Sequence, residues 1–225
     1  MNLTALTKLC AVIFIWRYHM STQKEIPKST RKRSNTNVST LAECAVMLAL
    51  SFALSYAKIF EMPMGGSVTI ASMLPIMLIS IKYGLGTGLA TAFVYSLTQL
   101  LQAFMSANVF PYCETFGTLV LCILFDYIVP FTLLGIAGLF HKLKLTKNVE
   151  INIYIGIVAA VLLRFVCHFI TGVVIWGQWA PGGMGKYLYS LLYNGGFLFA
   201  DFAICIVCAV LMLRKAEIKK LLNLE

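Results

Sequence analysis

The sequence predicts an all-α integral membrane protein, a bundle of six transmembrane helices with its N- and C-termini in the cytoplasm. Of the 225 residues, 60% are hydrophobic and only 12% are charged, whereas soluble domains average about 25% charged residues. So few charges cannot cover a water-facing surface, and the lipid bilayer is therefore the expected solvent. The spacing of apolar segments and the distribution of lysine and arginine give the number and direction of the helices.

Six apolar segments account for the helices, because a spanning helix needs about 20 residues. Polar or turn-forming residues separate them, and the second is short. They cover residues 41–60, 69–83, 85–106, 115–140, 151–178 and 187–213. On the first, Ala45 and Ala49 have a four-residue spacing that permits close contact with another helix. No room remains for a soluble catalytic domain.

The two ends of the chain differ from the bundle. Residues 1–38 form a polar, basic N-terminal extension with one apolar stretch that is too short to span, and we expect it to be disordered or interfacial. The six-helix membrane domain is expected at residues 39–216, followed by a cytoplasmic tail at 217–225.

Lysine and arginine set the orientation. Thirteen of them lie at residues 24–33 before the first helix, between the second and third, between the fourth and fifth, and after the sixth. The other connections hold two, Lys58 and Lys186. Because cytoplasmic loops carry the excess of positive charge, both termini are expected in the cytoplasm of a multi-pass protein of the cell membrane.

Composition disfavours other partners. The net charge is +9, but the basic residues cluster between apolar segments instead of lining one face with aromatic residues, so nucleic-acid binding is not expected. The seven cysteines are odd in number and lie mostly in apolar runs, where cysteine behaves as a small hydrophobe. Cys205 and Cys208 form a C-x-x-C pair with no second pair, so neither a metal site nor a cofactor is predicted.

Four ionisable residues lie well away from the ends of the predicted spanning segments, where each costs roughly 2.5–3.5 kcal/mol on insertion scales and tends to face a cavity or a partner. They are Asp126, Arg164, His168 and Asp201. At about 1.5 Å per residue from the outer helix ends, Asp126 and His168 share one depth. Arg164 and Asp201 share a deeper one, which favours a structural ion pair between them. Pairing of Arg164 with Asp126 stays open.

The fifth predicted helix carries a stripe of functional side chains. Arg164, His168, Gly172 and Trp176 follow one another at i, i+4 spacing and so share one face. Aromatic and amide side chains expected nearby on the fourth and sixth helices are Tyr127, Tyr189 and Asn194. Together with the acid, they suit a small, flat heteroaromatic cation. The structural alternatives are a hydrogen-bonded core histidine and an interfacial aromatic belt.

Five stretches carry a recognisable set of motifs. They read E-C-A-V-M-L-A-L-S-F (43–52), M-P-M-G-G-S-V-T-I-A-S-M-L-P (62–75), D-Y-I-V-P-F-T-L-L-G-I-A-G-L-F (126–140), H-F-I-T-G-V-V-I-W-G-Q-W-A (168–180) and Y-S-L-L-Y-N-G (189–195). This set resembles the thiamine-specific substrate-binding subunits (S components) of energy-coupling factor (ECF) vitamin transporters. The likeness covers about residues 40 to 213.

The resemblance implies a subunit that binds thiamine from outside with high affinity and joins a transmembrane coupling protein and two ATPase subunits. It assigns substrate binding to Asp126, Tyr127, His168, Trp176, Tyr189 and Asn194. It also assigns docking of the coupling protein to Ala45 and Ala49. Some members have Glu in place of Asp126, and some have a Trp where this chain reads Gly65-Gly66-Ser67.

The leading hypothesis is therefore the thiamine-binding subunit of an ATP-driven importer. No enzyme is expected, since no nucleophile–base pair supports one and the G-G-M-G-K segment lacks the Ser or Thr of a phosphate loop. Two transport alternatives stay open. One is a self-sufficient proton-coupled thiamine carrier, in which an intramembrane acid and histidine relay protons. The other is an S component for another vitamin.

Overall fold

A computed structural model of the chain describes residues 34–63, 65–106 and 109–224. The part from Leu41 to Glu225 forms a compact unit separate from Met1–Thr40, and the cavity described below lies within it. The predicted extension, residues 1–38, falls outside the described residues except for positions 34–38, which begin the first helix.

Helices dominate the described chain. They are α1 Ser34–Tyr56, α2 Leu74–Tyr83, α3 Leu85–Ser106, α4 Phe116–Leu143, α5 Val149–Val174, α6 Lys186–Leu213 and α7 Ala216–Leu221. Among the residues described, four helices are long and apolar enough to cross a membrane, namely α1 from Val38 onward, α4, α5 and α6. The fold is therefore a mostly helical membrane bundle, and the total of six spans stays a prediction.

A small β-hairpin interrupts the helical pattern between α1 and α2. Strands β1 (Lys58–Glu61) and β2 (Ser67–Thr69) pair antiparallel, with Phe60 opposite Val68. The prediction of an apolar helical segment up to residue 60, within an all-α protein, was wrong here. Pro63 follows β1, and Gly65 and Gly66 adopt positive φ angles of 85° and 81°, so the chain turns back on itself instead of extending the helix.

Helix α4 is continuous but irregular. Its residues Ile123–Ile128 form a π-helical turn and Leu133–Ile136 a 3-10 turn. Pro130 supplies a reason, because a proline ring clashes with the carbonyl four residues earlier, which belongs to Asp126. A widened turn relieves that clash and is a common device at functional sites. The irregularity therefore lies at the acidic residue that the sequence singles out.

Glycines let α2, α3 and α4 approach closely. The hydroxyl of Ser80 donates a hydrogen bond to the carbonyl of Gly135 and accepts one from the Gly138 N–H at 2.9 Å. A methyl group added at Gly88 would lie 2.5 Å from Ser80 Cβ and 2.8 Å from the Gly135 carbonyl oxygen. These contacts fix α4, and with it the cavity wall, against its neighbours.

The predicted tail contains α7, which packs against the bundle. Leu222 is 4% exposed within the main hydrophobic core, and Lys219 forms an ion pair with Glu150 at the start of α5.

Gly88→Ala is expected to destabilise the fold by about 1–3 kcal/mol, because the added methyl group overpacks the contact with Ser80 and Gly135. Gly86→Ala on the same helix is the matched control, since a methyl group there meets nothing within 4 Å. The control should unfold at an unchanged or slightly higher temperature, because alanine favours helix over glycine. Thermal unfolding of the detergent-solubilised protein measures both, and equal Tm values would contradict the packing argument.

Candidate ligand-binding cavity

A cavity of about 130 Å³ lies between the hairpin and helices α3 to α6. Its lining includes all eight ionisable, aromatic and amide residues that the sequence singled out. They are Asp126, Tyr127, Arg164, His168, Trp176, Tyr189, Asn194 and Asp201. The two residues proposed for docking, Ala45 and Ala49, are instead exposed on α1.

Asp126 is the hub of the hydrogen bonds in the cavity wall. Its Oδ1 lies 3.0 Å from His168 Nδ1 and also accepts a hydrogen bond from the Thr171 hydroxyl. Its Oδ2 accepts a hydrogen bond from the indole N–H of Trp176 at 3.0 Å. Three donors from α5 and the turn after it therefore surround one carboxylate on α4, as a buried charge requires.

His168 connects this carboxylate to Arg164. The Nε of Arg164 lies 3.4 Å from His168 Nε2, and because a guanidinium nitrogen can only donate, Nε2 must accept. The ring proton then sits on Nδ1 and points to Asp126, an assignment that follows from the hydrogen-bond network. His168 is therefore a neutral imidazole that donates to the carboxylate of Asp126 and accepts from the guanidinium of Arg164.

Arg164 and Asp201 form the deeper part of the network. Arg164 Nη1 lies 3.7 Å from Asp201 Oδ2, and its guanidinium stacks 4.3 Å from the ring centre of Phe131. Asp201 Oδ1 accepts hydrogen bonds from both the backbone N–H and the hydroxyl of Thr69, at 3.1 and 2.9 Å. Thr69 ends strand β2, so this ion pair ties the hairpin to α5 and α6. Of the two partners left open for Arg164, the structure places Asp201 within ion-pair distance.

Asn194 holds α6 against α5. Its Nδ2 donates to the carbonyl of His168 at 3.0 Å and lies 3.2 Å from the Ser190 hydroxyl. Ser190 in turn donates to the carbonyl of Phe169 at 2.8 Å. Gly172 makes room for this contact, because a methyl group there would collide with both Ser190 and Asn194. The glycine therefore permits the close contact between α5 and α6.

A group of aromatic rings packs around Tyr127 and Trp176, two residues of the cavity lining. Tyr112 lies edge-on to Trp176 and Trp179, with ring centres 6.4 and 5.4 Å apart, and Phe110 lies 5.8 Å from Tyr127. We call these five residues the aromatic roof. Because the Trp176 N–H is held by Asp126, the ring has a fixed orientation and its faces stay available for stacking.

A second aromatic row runs along α6 beneath the hairpin. Tyr189, Tyr193 and Phe197 follow one another at successive turns, with ring centres 5.5 and 6.4 Å apart. Tyr193 donates a hydrogen bond to the carbonyl of Gly65 at 2.9 Å. A methyl group at Gly66 would lie 2.9 Å from the Phe197 ring, so the hairpin tip packs directly on this row.

Sequence reasoning missed several lining or supporting residues. They are Thr69, Gln99, Gln102, Thr171, Tyr193 and Phe197. Two sequence patterns could have identified some of them. Thr171 lies three residues after His168 and so shares its helix face. Gln99 and Gln102 lie inside an apolar helix, where polar side chains tend to face a cavity or a partner. The role of Thr69 depends on a contact across 132 positions of chain, which no local pattern reveals.

The cavity carries one formal negative charge. Among the described residues that line it, Lys58 and Arg164 are basic, whereas Glu61, Asp126 and Asp201 are acidic. Lys58 and Glu61 pair at 2.8 Å on the hairpin, and Arg164 pairs with Asp201. The charge of Asp126 has no cationic side chain of its own, because its histidine partner is neutral. The arrangement therefore favours a monocationic ligand.

Comparison with known proteins names the family. The family model described as thiamine transporter protein (Thia_YuaJ) matches residues 41–221. The chain belongs to the thiamine transporter protein family. This confirms the assignment to thiamine transporters made from the motifs, and the matched region contains every residue of the cavity lining.

Individual members of the thiamine transporter protein family cover most of the chain. Thiamine transporter ThiT of Bacillus subtilis (strain 168) is 33% identical over 186 residues, covering 78% of this chain and 91% of the relative. ThiT of Lacticaseibacillus paracasei is 29% identical over 187 residues, covering 76% and 86%. A solved structure of ThiT from Listeria monocytogenes matches with a TM-score of 0.62 at 19% identity, covering 81% of this chain and 98% of that one.

Membership places the chain among transport proteins. The relatives are named as transporters and not as enzymes, and the solved ThiT structure shows that the fold is shared. With its four long apolar helices, this thiamine transporter family member is a multi-pass protein of the cell membrane.

The Arg164–Asp201 pair is expected to show strong energetic coupling, because removing one partner leaves the other charge buried and unpaired. Arg164→Met and Asp201→Asn should each destabilise the protein by about 3–5 kcal/mol. The double variant should lose less than the two losses added together, with a coupling of about 1–3 kcal/mol. Thermal unfolding of the four proteins measures this cycle, and strict additivity would show that the two side chains do not interact.

Proposed function

We propose that this protein is the high-affinity thiamine-binding subunit of an ATP-driven ECF-type importer, which captures thiamine from outside. The observation that carries the proposal is a cavity with one uncompensated carboxylate beside oriented aromatic rings. Thiamine matches it in both respects, because it joins a cationic thiazolium ring to a flat aminopyrimidine. Membership of the thiamine transporter protein family supports the same ligand.

The binding mode follows from the hydrogen bonds. Asp126 already accepts three hydrogen bonds, so it acts on the thiazolium mainly as a fixed negative charge. Trp176 and Tyr127 provide ring faces for stacking and for the cation. Tyr189 adds a third ring, and Asn194 presents its carbonyl oxygen to the aminopyrimidine, since its Nδ2 is engaged with α5. His168 then serves mainly to orient Asp126.

Two alternatives are less well supported. A self-sufficient proton-coupled carrier needs a chain of groups that exchange protons, but Arg164 interrupts the chain from Asp126 to Asp201 and keeps its protons. An S component for another vitamin requires a ligand that is cationic and flat, because the charge of Asp126 would repel an anionic vitamin. Competition by unlabelled vitamins separates these ligands.

Partner subunits are the second part of the proposal. The family resemblance implies a transmembrane coupling protein and two ATPases, with Ala45 and Ala49 as the docking positions. Both alanines are exposed on α1, where small side chains allow another helix to approach closely. They lie outside the cavity lining, so docking and ligand binding are separable by mutation. The positive-inside count supports cytoplasmic termini and hence ATPases on that side.

Thiamine is expected to quench tryptophan fluorescence of the purified protein with saturation below micromolar concentration. Asp126→Asn should weaken thiamine binding at least tenfold, which is about 1.4 kcal/mol, while weakening binding of the uncharged analogue deazathiamine much less. Asp126→Glu keeps the charge and should keep the preference for the cation.

Lys186→Ala is the matched control for a charge change, because Lys186 is exposed and is not among the cavity-lining residues. It should bind thiamine like the parent protein. Absence of saturation at micromolar thiamine would refute the ligand. Equal losses for thiamine and deazathiamine in Asp126→Asn would refute the role of the charge.

Ala49→Leu is expected to abolish ATP-dependent thiamine uptake while leaving thiamine binding unchanged, because the larger side chain keeps the coupling protein away from α1. Ala90→Leu is the control, since Ala90 is an exposed alanine on α3. Uptake is measured in vesicles with and without the coupling protein and ATPases. Uptake by this protein alone, driven by a proton gradient, would instead establish the self-sufficient carrier.

A further inference from the structure

Two cysteine thiols meet beside the aromatic roof. Cys113 follows the short 3-10 helix Phe110–Tyr112, and Cys122 lies in the first turns of α4. Both side chains pack in the hydrophobic cluster around Trp176, and the two thiols lie close enough to interact with each other. Neither is among the described residues that line the cavity, so the thiamine site leaves this pair unexplained.

The two thiols differ in their accessibility to reagents. Cys122 is fully buried, whereas Cys113 is partly exposed. A reagent from outside the protein therefore reaches the Cys113 thiol first, and the buried Cys122 thiol reacts second. Burial raises the pKa of the Cys113 thiol, so little thiolate is present at neutral pH and the reaction accelerates as the pH rises.

We propose that Cys113 and Cys122 form a reversible thiol–disulfide pair which, when oxidised, ties the aromatic roof to α4 and slows ligand exchange. The oxidant is a small organic disulfide, RSSR. The Cys113 thiolate attacks one sulfur, forming a mixed disulfide and releasing one RSH after protonation. The Cys122 thiol then displaces the second RSH and closes the disulfide. The two cysteines lose two electrons and two protons, and RSSR gains them as two RSH.

The cross-link acts on the roof through its position in the chain. Cys113 directly follows Tyr112, which contacts both Trp176 and Trp179. Cys122 lies one turn before Asp126 on the same helix. A bond between the two sulfurs therefore joins the segment whose Tyr112 packs against the cavity-lining Trp176 to the helix that carries Asp126. The effect on thiamine exchange rests on the proposed function, whereas the cross-link itself does not.

The first test detects the disulfide. Purified full-length protein is treated with oxidised glutathione at mildly alkaline pH, alkylated, digested and examined by mass spectrometry. A Cys113–Cys122 link that dithiothreitol reverses is expected. Cys122→Ser should instead keep glutathione on Cys113, and Cys113→Ser should leave Cys122 reduced. Cys205 and Cys208, a neighbouring pair on α6, are the internal control and should react much more slowly. Failure of the link to form, or equal rates for both pairs, would overturn the proposal.

The second test measures the consequence. Dissociation of thiamine, followed by tryptophan fluorescence, should be at least tenfold slower in the oxidised protein than in the reduced protein, and oxidant should have no effect in Cys113→Ser. Equal rates would overturn the restriction of exchange. If the link forms but thiamine does not bind, the proposed ligand fails while the pair stands. Protection of Trp176 and Trp179 from acrylamide quenching then tests whether the roof is restrained.

Discussion

A carboxylate can lie inside a lipid-facing bundle only where hydrogen-bond donors surround it, and Asp126 satisfies this constraint with His168, Thr171 and Trp176. The other parts of the cavity follow from that requirement. Pro130 forces the π turn that carries Asp126, and the short 3-10 helix after α5 brings the Trp176 indole to its second oxygen. The backbone irregularities on α4 and after α5 therefore serve the same charge.

The network continues from this carboxylate to the hairpin. His168 meets Arg164, Arg164 pairs with Asp201, and Asp201 accepts both hydrogen bonds from Thr69. One chain of polar contacts thus joins α4, α5, α6 and β2 through the interior. The hairpin tip rests on the aromatic row of α6 through the Tyr193–Gly65 hydrogen bond. A movement of the hairpin that exposes the cavity must break contacts that also hold the ion pair, so opening and the fold are coupled energetically.

The sequence predicts the parts of this structure that depend on local patterns. The energetic cost of an ionisable group in lipid identified Asp126, Arg164, His168 and Asp201 from the sequence alone, and helix periodicity placed Arg164 and His168 on one stripe of α5. The same periodicity was wrong for Trp176, because α5 ends at Val174 and Trp176 begins the 3-10 helix that follows. The hairpin escaped prediction because Ile59 and Phe60 lie at the end of the apolar segment that starts at Leu41, and only the turn at Gly65 and Gly66 reverses the chain. The bond between Thr69 and Asp201 was equally hidden, since it joins distant residues whose own neighbourhoods give no signal.

The protonation state of His168 decides whether the negative charge of Asp126 is available to a ligand. A charged imidazole beside Asp126 would cancel the negative charge of the carboxylate. Because Arg164 donates to Nε2 of His168, the ring must instead be the neutral tautomer, which accepts from Arg164 and donates to Asp126. The histidine then does not cancel the charge of Asp126, and a cation that enters finds its counter-charge and its ring faces already in position. Little reorganisation is needed on binding, which is the condition under which a small ligand gains most affinity from few contacts. The same hydrogen bonds that make the buried acid tolerable to the fold therefore also hold one negative charge beside aromatic ring faces, an arrangement that favours a flat monocation.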